Sequence, residues 1–249
     1  MSFQSPTEYC YGVVIPVYNE EECLGAVLDE LRNEWPGQSS FEIAVGLNGT
    51  TDLSGEIASQ RGAIVGQTDH RGYGHGCMAA IDAFRDEGIG VDAYIFFAGD
   101  GASDPEDLKL LIDRFEAGNQ LVLGTRTTSC RNWRRPWRRG LANLVLGAWA
   151  TLLSGHVYAD LGPHRIIDRN LFEKMDQKEL TWGWTIEQQI LAPKLGAKIS
   201  SVRVGERSRI AGVQKISGVS LKQTLKIGWE IFKAGFRSAK RTFGGPSFD

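Results

Sequence analysis

The feature that most constrains the fold is a regular alternation of short apolar runs with helical patterns in the first half of the chain. Five runs rich in β-branched and aromatic residues are typical of buried strands: 11–17, 41–47, 63–65, 93–98 and 121–124. Between them apolar residues recur at helical spacing, as in Leu24, Val27, Leu28 and Leu31. This alternation predicts an α/β fold, with a mainly parallel sheet and helices on both faces.

The second half of the chain departs from this alternation after Gly140. Its expected elements are an apolar helix at 141–154, an irregular stretch at 160–165, a helix near 185–195, a strand at 199–204, a basic loop at 206–218 and a long helix at 219–241. We interpret this half as an extension of the same domain, because 249 residues suffice for one large α/β core. The prediction is therefore one domain over 1–249.

The formal net charge of −2 says nothing about partners, but the charge is unevenly distributed along the chain. Residues 117–159 contain six Arg and no Asp or Glu, and residues 207–241 contain Glu230 as their single acid. A chain that is neutral overall but basic in its second half is expected to present a local binding site for an anion.

The cysteines are scattered, with no CxxC pair, which favours reduced packing residues in a cytosolic protein. The N-terminal stretch lacks the basic-then-apolar pattern of a signal peptide. No apolar run reaches the roughly 18–20 residues that span a bilayer. We therefore expect a cytoplasmic protein that meets a membrane, if at all, peripherally on its inner face.

Ligands of parallel sheets bind beyond the carboxyl ends of the strands, so the motifs at those positions carry the functional information. In chain order these motifs are VVIPVYNE (13–20), GLNGTTD (46–52), RGYGHG (71–76), FFAGDGASDPEDL (96–108), GTR (124–126), DLGPHR (160–165), WGWTIE (182–187) and RSRIAGVQKISG (207–218). Their order resembles the family 2 glycosyltransferases of the Rossmann-like GT-A fold, in the branch that includes dolichyl-phosphate mannose synthase. The resemblance covers about residues 11–232.

The resemblance implies that residues 1–126 bind a nucleotide-sugar donor, UDP- or GDP-linked. The donor-binding positions it implies are Pro16, Tyr18, Glu20, Asn48, Gly72, Gly74, His75 and Asp100. Helix capping explains Asn19 and Asp52 as well as a donor contact does, and a surface position explains His75. Leu47 stands where the family often has an Asp that contacts the base, so the identity of the base stays open.

The family's Asp-X-Asp signature at the end of the fourth strand implies a divalent metal, Mg²⁺ or Mn²⁺, held against the diphosphate. In this chain Ala98 replaces the first Asp and Asp100 keeps the second. We expect Asp100 to be both a metal ligand and a catalytic residue, at a site weakened by Ala98. Asp104, immediately before Pro105, is expected to cap a helix.

The acceptor half, 127–218 with its border at Arg126, is implied to bind a phosphate. The matching positions are Arg126, Arg139, Asn143, Arg165, Arg209 and Lys215. Guanidinium groups suit a phosphate because they bind it in a bidentate way. Trp133 and Trp137 suit a membrane headgroup zone. A solvated surface loop is the second interpretation, and RNA stacking on these aromatics the third; nucleic acid is not the expected partner.

These expectations combine into an inverting transfer to a polyprenyl- or dolichyl-type lipid phosphate. In this step Asp100 with a divalent metal, helped by Arg209 and Lys215, is expected to stabilise the departing nucleoside diphosphate. Such an acceptor is already ionised, so Glu187 would only position the sugar. With a hydroxyl acceptor, Glu187 or Asp160 would be the general base; a salt bridge from Glu187 to Arg165 is a structural alternative. Two other functions stay open: a soluble hydroxyl acceptor, and a non-catalytic nucleotide-sugar-binding protein, which Ala98 and Leu47 suggest.

The helix predicted at 219–241 carries one apolar stripe with basic flanks. The stripe comprises Leu221, Leu225, Trp229, Phe232 and Phe236, and the flanks comprise Lys222, Lys226, Lys233, Arg237 and Lys240. This pattern is typical of a helix that lies in a membrane interface. The alternative is that the stripe closes the core of the domain.

Overall fold

The computed structural model describes residues 9–36, 39–126, 137–212 and 221–243. The strands are β1 (Cys10–Val17), β2 (Ser40–Asn48), β3 (Ile64–Thr68), β4 (Ala93–Phe96), β5 (Leu121–Arg126), β6 (Arg165–Asp168) and β7 (Ile199–Val204). The helices are α1 (Leu24–Asn33), α2 (Ser54–Gln60), α3 (Tyr73–Asp86), α4 (Leu108–Glu116), α5 (Trp137–Ser154), α6 (Arg169–Met175), α7 (Trp184–Lys194) and α8 (Leu221–Ala239). A 3₁₀ turn, Pro105–Asp107, precedes α4.

The strands form one seven-stranded sheet in the order β3-β2-β1-β4-β6-β5-β7. Every neighbouring pair is parallel except those of β6, which runs antiparallel to β4 and β5. The predicted α/β fold with a mainly parallel sheet is thereby confirmed. Because β6 lies between β4 and β5, the second half of the chain completes the sheet that the first half begins.

Alternate residues of the strands pack into two apolar layers, as the period of two in a strand requires. Val14 and Ala44 face a layer that contains α3 and the later helices α5 to α8. Val13 and Ile15 face the opposite layer, which contains α1, α2 and α4. The prediction of helices on both faces is confirmed by this arrangement.

Helix α3 lies directly against the sheet, and this close packing places its first turn at the carboxyl edge. A Cβ at Gly46 of β2 would collide with the carbonyl oxygen of Gly76 in α3. The chain enters α3 through Gly72, whose φ of 152° lies in the region that glycine favours. The turn before α3 therefore lies beside the end of β2.

Within the described parts of the chain, no helix is long and apolar enough to cross a membrane.

Candidate active site

A cavity of about 470 Å³ lies at the carboxyl ends of β1, β2 and β4. Its lining residues are Pro16, Tyr18, Glu20, Asn48, Arg71, Gly72, Tyr73, Ala98, Gly99, Asp100, Thr181, Trp182, Arg209 and Gln223. The volume falls in the range of about 300–1,000 Å³ that is usual for small-ligand sites. This is the edge of the sheet at which the sequence motifs predict a ligand.

Hydrogen bonds in one wall of the cavity join the end of β1, the end of β2 and the turn before α3. The side-chain amide of Asn48 donates to the carbonyl oxygen of Val17 at 2.8 Å, and its oxygen accepts from the backbone N–H of Gly72 at 3.4 Å. The guanidinium of Arg71 lies over the ring of Tyr18, 4.0 Å from the ring centroid. This cation–π pair gives the cavity a flat, positively charged side.

The turn after β1 aims Glu20 into the cavity. Asn19 adopts a left-handed φ of 53°, and its side-chain oxygen accepts from the N–H of Thr51 at 2.8 Å. The N–H of Glu20 donates to Ser54 Oγ at 2.9 Å. Asp52 accepts from the N–H groups of Ser54 and Glu21, so this carboxylate organises the turn between β2 and α2.

The turn after β4 brings Asp100 into the same cavity. Its Oδ1 accepts from the N–H of Ala102 at 3.0 Å, which fixes the carboxylate against its own turn. Asp104 accepts from the N–H of Glu106 and caps the 3₁₀ turn, as the sequence predicts.

Arg209 bridges the two acidic residues of the cavity. Its Nη1 lies 3.0 Å from Asp100 Oδ2, and its Nη2 is hydrogen-bonded to Glu20 Oε2. Burial by itself lowers the pKa of Arg209, but the hydrogen bond with Glu20 and the charges of Glu20 and Asp100 raise it overall. The guanidinium therefore stays charged, between the ends of β1 and β4.

Two of the residues proposed for the acceptor phosphate, Arg126 and Asn143, belong to a separate cluster at the end of β5. Asp160 accepts from Arg126 Nε and Nη2 at 2.8 and 2.9 Å, and from the amide of Asn143 at 2.5 Å. Arg126 also lies 3.6 Å from Glu206. None of these four residues lines the cavity. In this conformation the cluster is an internal ion pair, and its contact with an acceptor stays a prediction.

Arg165 lies in the protein interior rather than at the cavity. The residue is 1% exposed, and its guanidinium donates to the carbonyl oxygens of Gly162 and Thr185 and to the side chain of Gln188. Desolvation lowers the pKa of Arg165 to about 10. These contacts give Arg165 a structural role in joining β6 to α7, and leave it no surface for a phosphate.

Glu187 is buried as well, at 1% exposure, and does not line the cavity. Its Oε1 lies 2.6 Å from Arg241 Nη1, and its Oε2 accepts from the N–H groups of Lys178 and Glu179 at 2.9 and 2.7 Å. Burial raises the pKa of Glu187, although these hydrogen bonds lower it in part. The salt bridge that the sequence suggested with Arg165 is replaced by one with Arg241.

The sequence model of the family described as "Glycosyl transferase family 2" matches residues 12–186, which is more than half of the chain. The chain belongs to this family. It is a nucleotide-sugar-dependent glycosyltransferase, and the resemblance inferred from the strand-end motifs is confirmed.

Two relatives place this glycosyltransferase near enzymes that are named for lipid phosphates. It is 27% identical over 235 residues to "Polyprenol monophosphomannose synthase" of Mycolicibacterium smegmatis, covering 86% of this chain and 83% of that one. It is 28% identical over 214 residues to "Dolichyl-phosphate hexose transferase" of Haloferax volcanii, covering 84% and 89%.

A similar solved structure is glucosyl-3-phosphoglycerate synthase of Mycobacterium tuberculosis, in complex with Mn²⁺, UDP and phosphoglyceric acid. The TM-score is 0.71 at 21% identity, over 95% of this chain and 81% of that chain. This likeness establishes the GT-A fold for the glycosyltransferase described here.

The residues of this glycosyltransferase do not fit a divalent metal as the family signature would have it. Ala98 has no ligand atom, and Asp100 and Glu20 both bind Arg209. Across residues 9–36, 39–126, 137–212 and 221–243, no group of three or more His, Cys, Asp or Glu side chains is placed to hold a metal ion. The structure of glucosyl-3-phosphoglycerate synthase contains Mn²⁺ with UDP, but at the predicted metal site of this chain both carboxylates, Asp100 and Glu20, are engaged with Arg209.

Of the predicted donor residues, the structure brings six together in the cavity: Pro16, Tyr18, Glu20, Asn48, Gly72 and Asp100. Gly74 instead packs under Trp184, where a Cβ would come within 2.5 Å of the indole. His75 lines a different, more open depression on the β3–α3 edge, with His70 at a ring distance of 5.1 Å. Burial, then the charge of His70, lowers the pKa of His75.

Two predicted acceptor positions lie wholly or partly outside the described residues. Lys215 lies outside the described residues, and of Arg139 the structure describes the helical backbone in α5 alone. The cavity also contains residues that sequence reasoning did not single out: Arg71, Tyr73, Gly99, Thr181, Trp182 and Gln223. Arg71 and Trp182 lie within quoted motifs, each beside a glycine that precedes a helix, and this position was a signal that could have found them.

Proposed function

We propose that this glycosyltransferase transfers a sugar from a UDP- or GDP-linked donor to a polyprenyl- or dolichyl-type lipid phosphate, with inversion at the anomeric carbon. The names of the two relatives support a lipid-phosphate acceptor. The observation that carries the proposal is that α8, whose Gln223 lines the donor cavity, also bears large exposed apolar side chains.

The start of α8 contributes to the cavity through Gln223. Two residues further on, Leu225 is 66% exposed, and Trp229 is 59% exposed. A lipid held at this helix would present its phosphate near the donor without leaving the bilayer.

The exposed apolar surface continues from α8 onto α5. Trp149 of α5 stacks on Phe232 of α8 at 4.0 Å and meets Phe236 edge-on at 4.7 Å. The large apolar side chains left exposed in these two helices, and just after α5, are Leu144, Val145, Leu152, Val157, Leu225, Trp229 and Phe236. An exposed group of large apolar side chains is typical of a protein or membrane contact. We assign it to a bilayer surface, because a lipid substrate must be met there.

The basic flanks of α8 contribute less charge than the sequence suggests. Lys233 pairs with Glu230 at 2.8 Å, and Arg237 pairs with Glu179 at 2.6 Å. Each basic residue near an anionic surface adds roughly 1 kcal/mol, so these internal pairs weaken the electrostatic part of membrane binding. Apolar burial should therefore dominate.

The ion pairs formed by the two candidate general bases also favour a phosphate acceptor. Glu187 and Asp160, the two candidate bases for a hydroxyl acceptor, are held by Arg241 and Arg126 and do not line the cavity. A general base must reach the proton it removes within hydrogen-bond distance. An ionised phosphate needs no such base, and Glu187 is assigned a structural role.

In the proposed step, an oxygen of the acceptor phosphate attacks the anomeric carbon of the sugar. The bond from that carbon to the donor diphosphate breaks, and the nucleoside diphosphate leaves with the electron pair. Negative charge develops on the leaving oxygen, where a fixed positive group gives the largest stabilisation. Arg209 lines this cavity and carries such a charge, and Arg71 and Tyr18 provide a face on which the nucleoside can stack.

The test is transfer of labelled sugar from UDP- and GDP-sugars to a short-chain polyprenyl phosphate, followed by extraction into organic solvent. The matched control acceptor is the corresponding polyprenol, which has the same tail and a hydroxyl in place of the phosphate. Label should enter the organic phase with the phosphate alone. Label on the polyprenol, or on soluble phosphoglyceric acid in preference to either lipid, would reject the lipid-phosphate acceptor.

A further inference from the structure

Both carboxylates that line the donor cavity already hold a cation. One oxygen of Asp100 accepts from Ala102 N at 3.0 Å, and the other lies 3.0 Å from Arg209 Nη1. Glu20 is hydrogen-bonded to Nη2 of the same guanidinium. Magnesium in proteins is commonly bound by one or two carboxylates together with substrate phosphates. In this chain the position of one such carboxylate is Ala98, and the other carboxylate holds Arg209.

Arg209 is positioned by a segment, residues 205–212, that we call the strap. Gly205 N donates to Asp107 at 2.7 Å, and Arg207 N donates to the carbonyl oxygen of Ala102 at 2.9 Å. The guanidinium of Arg207 forms two hydrogen bonds with Glu30, at 2.5 and 2.8 Å. Backbone and side-chain contacts thus hold the strap before Arg209.

The part of the strap that follows Arg209 is also held by contacts with the rest of the domain. Ile210 N donates to the carbonyl oxygen of Asp100 at 3.2 Å, and the Ile210 side chain covers Gly101 so closely that a Cβ there would come within 2.5 Å. The thiol of Cys23 donates to the carbonyl oxygen of Ala211 at 3.0 Å. Arg209 is therefore held in place by the strap residues on either side of it in the chain and by both carboxylates of the cavity.

A guanidinium in this position can do the work that a metal does for a diphosphate. It has five N–H donors in a rigid plane and a charge that does not titrate near neutral pH, and it binds phosphate oxygens in a bidentate way. The two carboxylates engage one donor each, and Nε donates to the carbonyl oxygen of Ala211 at 3.4 Å. The guanidinium can remain on these supports while another of its N–H groups meets a phosphate oxygen. A metal ion at Asp100 would instead have to displace Arg209 and would repel it.

We propose that Arg209 takes the place of the divalent metal at the donor site, so that the donor diphosphate binds and is neutralised without Mg²⁺ or Mn²⁺. Ala98 and Arg209 are then two parts of one replacement. Ala98 stands in place of a metal-binding carboxylate, and the guanidinium of Arg209, held by Glu20 and Asp100, stands in place of the metal. This inference rests on the donor site assigned above.

The experiment is calorimetric titration of the full-length protein with UDP and with GDP, once in EDTA and once in Mn²⁺. For the nucleotide that binds, the Kd should differ less than about threefold between the two conditions. Arg209→Met should weaken binding in EDTA at least about tenfold, because a charge-assisted contact is lost. Mn²⁺ should then restore part of the affinity, since Asp100 is released from its ion pair with Arg209.

Ala98→Asp restores the paired carboxylates, and Mn²⁺ should strengthen nucleotide binding in this variant more than in the wild type. The matched control is Arg203→Met, which removes an exposed arginine of β7 outside the cavity. It should leave the response to EDTA and Mn²⁺ unchanged.

Wild-type protein that binds UDP or GDP only in the presence of Mn²⁺ would overturn the inference and leave the donor site standing. Wild-type protein that binds neither nucleotide in either condition would remove the donor site, and with it both proposals. The wild-type comparison decides the inference even where a variant does not fold.

Discussion

His164 is a buried histidine whose replacement tests how well the interior is described. The residue is 4% exposed, its ring meets Phe97 edge-on at 5.2 Å, and neither ring nitrogen has a hydrogen-bond partner. His164→Phe removes the two polar atoms and keeps the aromatic contact.

Burial lowers the pKa of His164 from 6.5 to about 4, and the consequence for stability follows from the sign of that shift. In the unfolded chain His164 binds a proton below pH 6.5, whereas in the folded protein it stays neutral down to about pH 4. Stability from this group is therefore present above pH 6.5 and is lost as the pH falls towards 4. Between pH 7 and pH 5 the wild type should lose about 2 kcal/mol to this residue alone.

The assay is urea unfolding of wild type and His164→Phe at pH 7 and pH 5. The variant should lose less stability between these values by about 2 kcal/mol, equivalent to roughly 4–8 °C in melting temperature. Overpacking by the larger ring costs roughly 1–3 kcal/mol at both pH values and cancels in this difference. The control, His70→Gln, removes an exposed histidine and should behave as the wild type. An equal loss in wild type and His164→Phe would refute the reasoning.

Asp100→Ala should lower the rate of transfer at least about a hundredfold, because Arg209 loses a support; the protein should stay folded, which initial rates and a thermal melt would check. Wild-type turnover would remove Asp100 from the site. Glu187→Gln should cost about 3 kcal/mol of stability and leave kcat within a few-fold, whereas loss of a general base costs about 10²–10⁴ in rate. Trp229→Glu should reduce flotation with anionic liposomes; full-length wild type that stays soluble at low salt would contradict the membrane assignment.

The cavity could be predicted from the sequence because its residues follow strands that local patterns identify. Tyr18, Asn48 and Asp100 each come directly after an apolar run, and a parallel sheet places all such ends at one edge. Neither β6 nor α6 was predicted. Strand β6 has only four residues, and the residues of β4 and β5 with which it pairs antiparallel are distant in the chain, as in Tyr94 with Ile167 and Leu123 with Arg165.

The roles of the buried charges could not be predicted, because their partners are distant in sequence. Glu187 pairs with Arg241 and Arg126 pairs with Asp160, and no periodicity relates the members of either pair. The motifs identified these residues, but tertiary packing decides whether a charged side chain faces a ligand or another charge.

The orientation of α8 shows the same limit. The apolar stripe was compatible both with a helix at a membrane and with a helix that closes the core. The helix packs on the domain through small residues outside the stripe, and Ala234 and Ser238 are fully or almost fully buried. Ala234 lies so close to Gly183 that a Cβ there would come within 2.5 Å of it. Small side chains permit this close contact, and Leu225 and Trp229 of the stripe are left largely exposed.

The most direct test of the central assignment is a ³¹P NMR spectrum of a reaction that contains polyprenyl phosphate and the nucleotide-sugar that binds. Attack by the phosphate converts a phosphomonoester into a phosphodiester, so the lipid resonance should move to the diester region as nucleoside diphosphate is released. Release of the nucleoside diphosphate while the lipid phosphate remains a monoester would contradict the proposed acceptor.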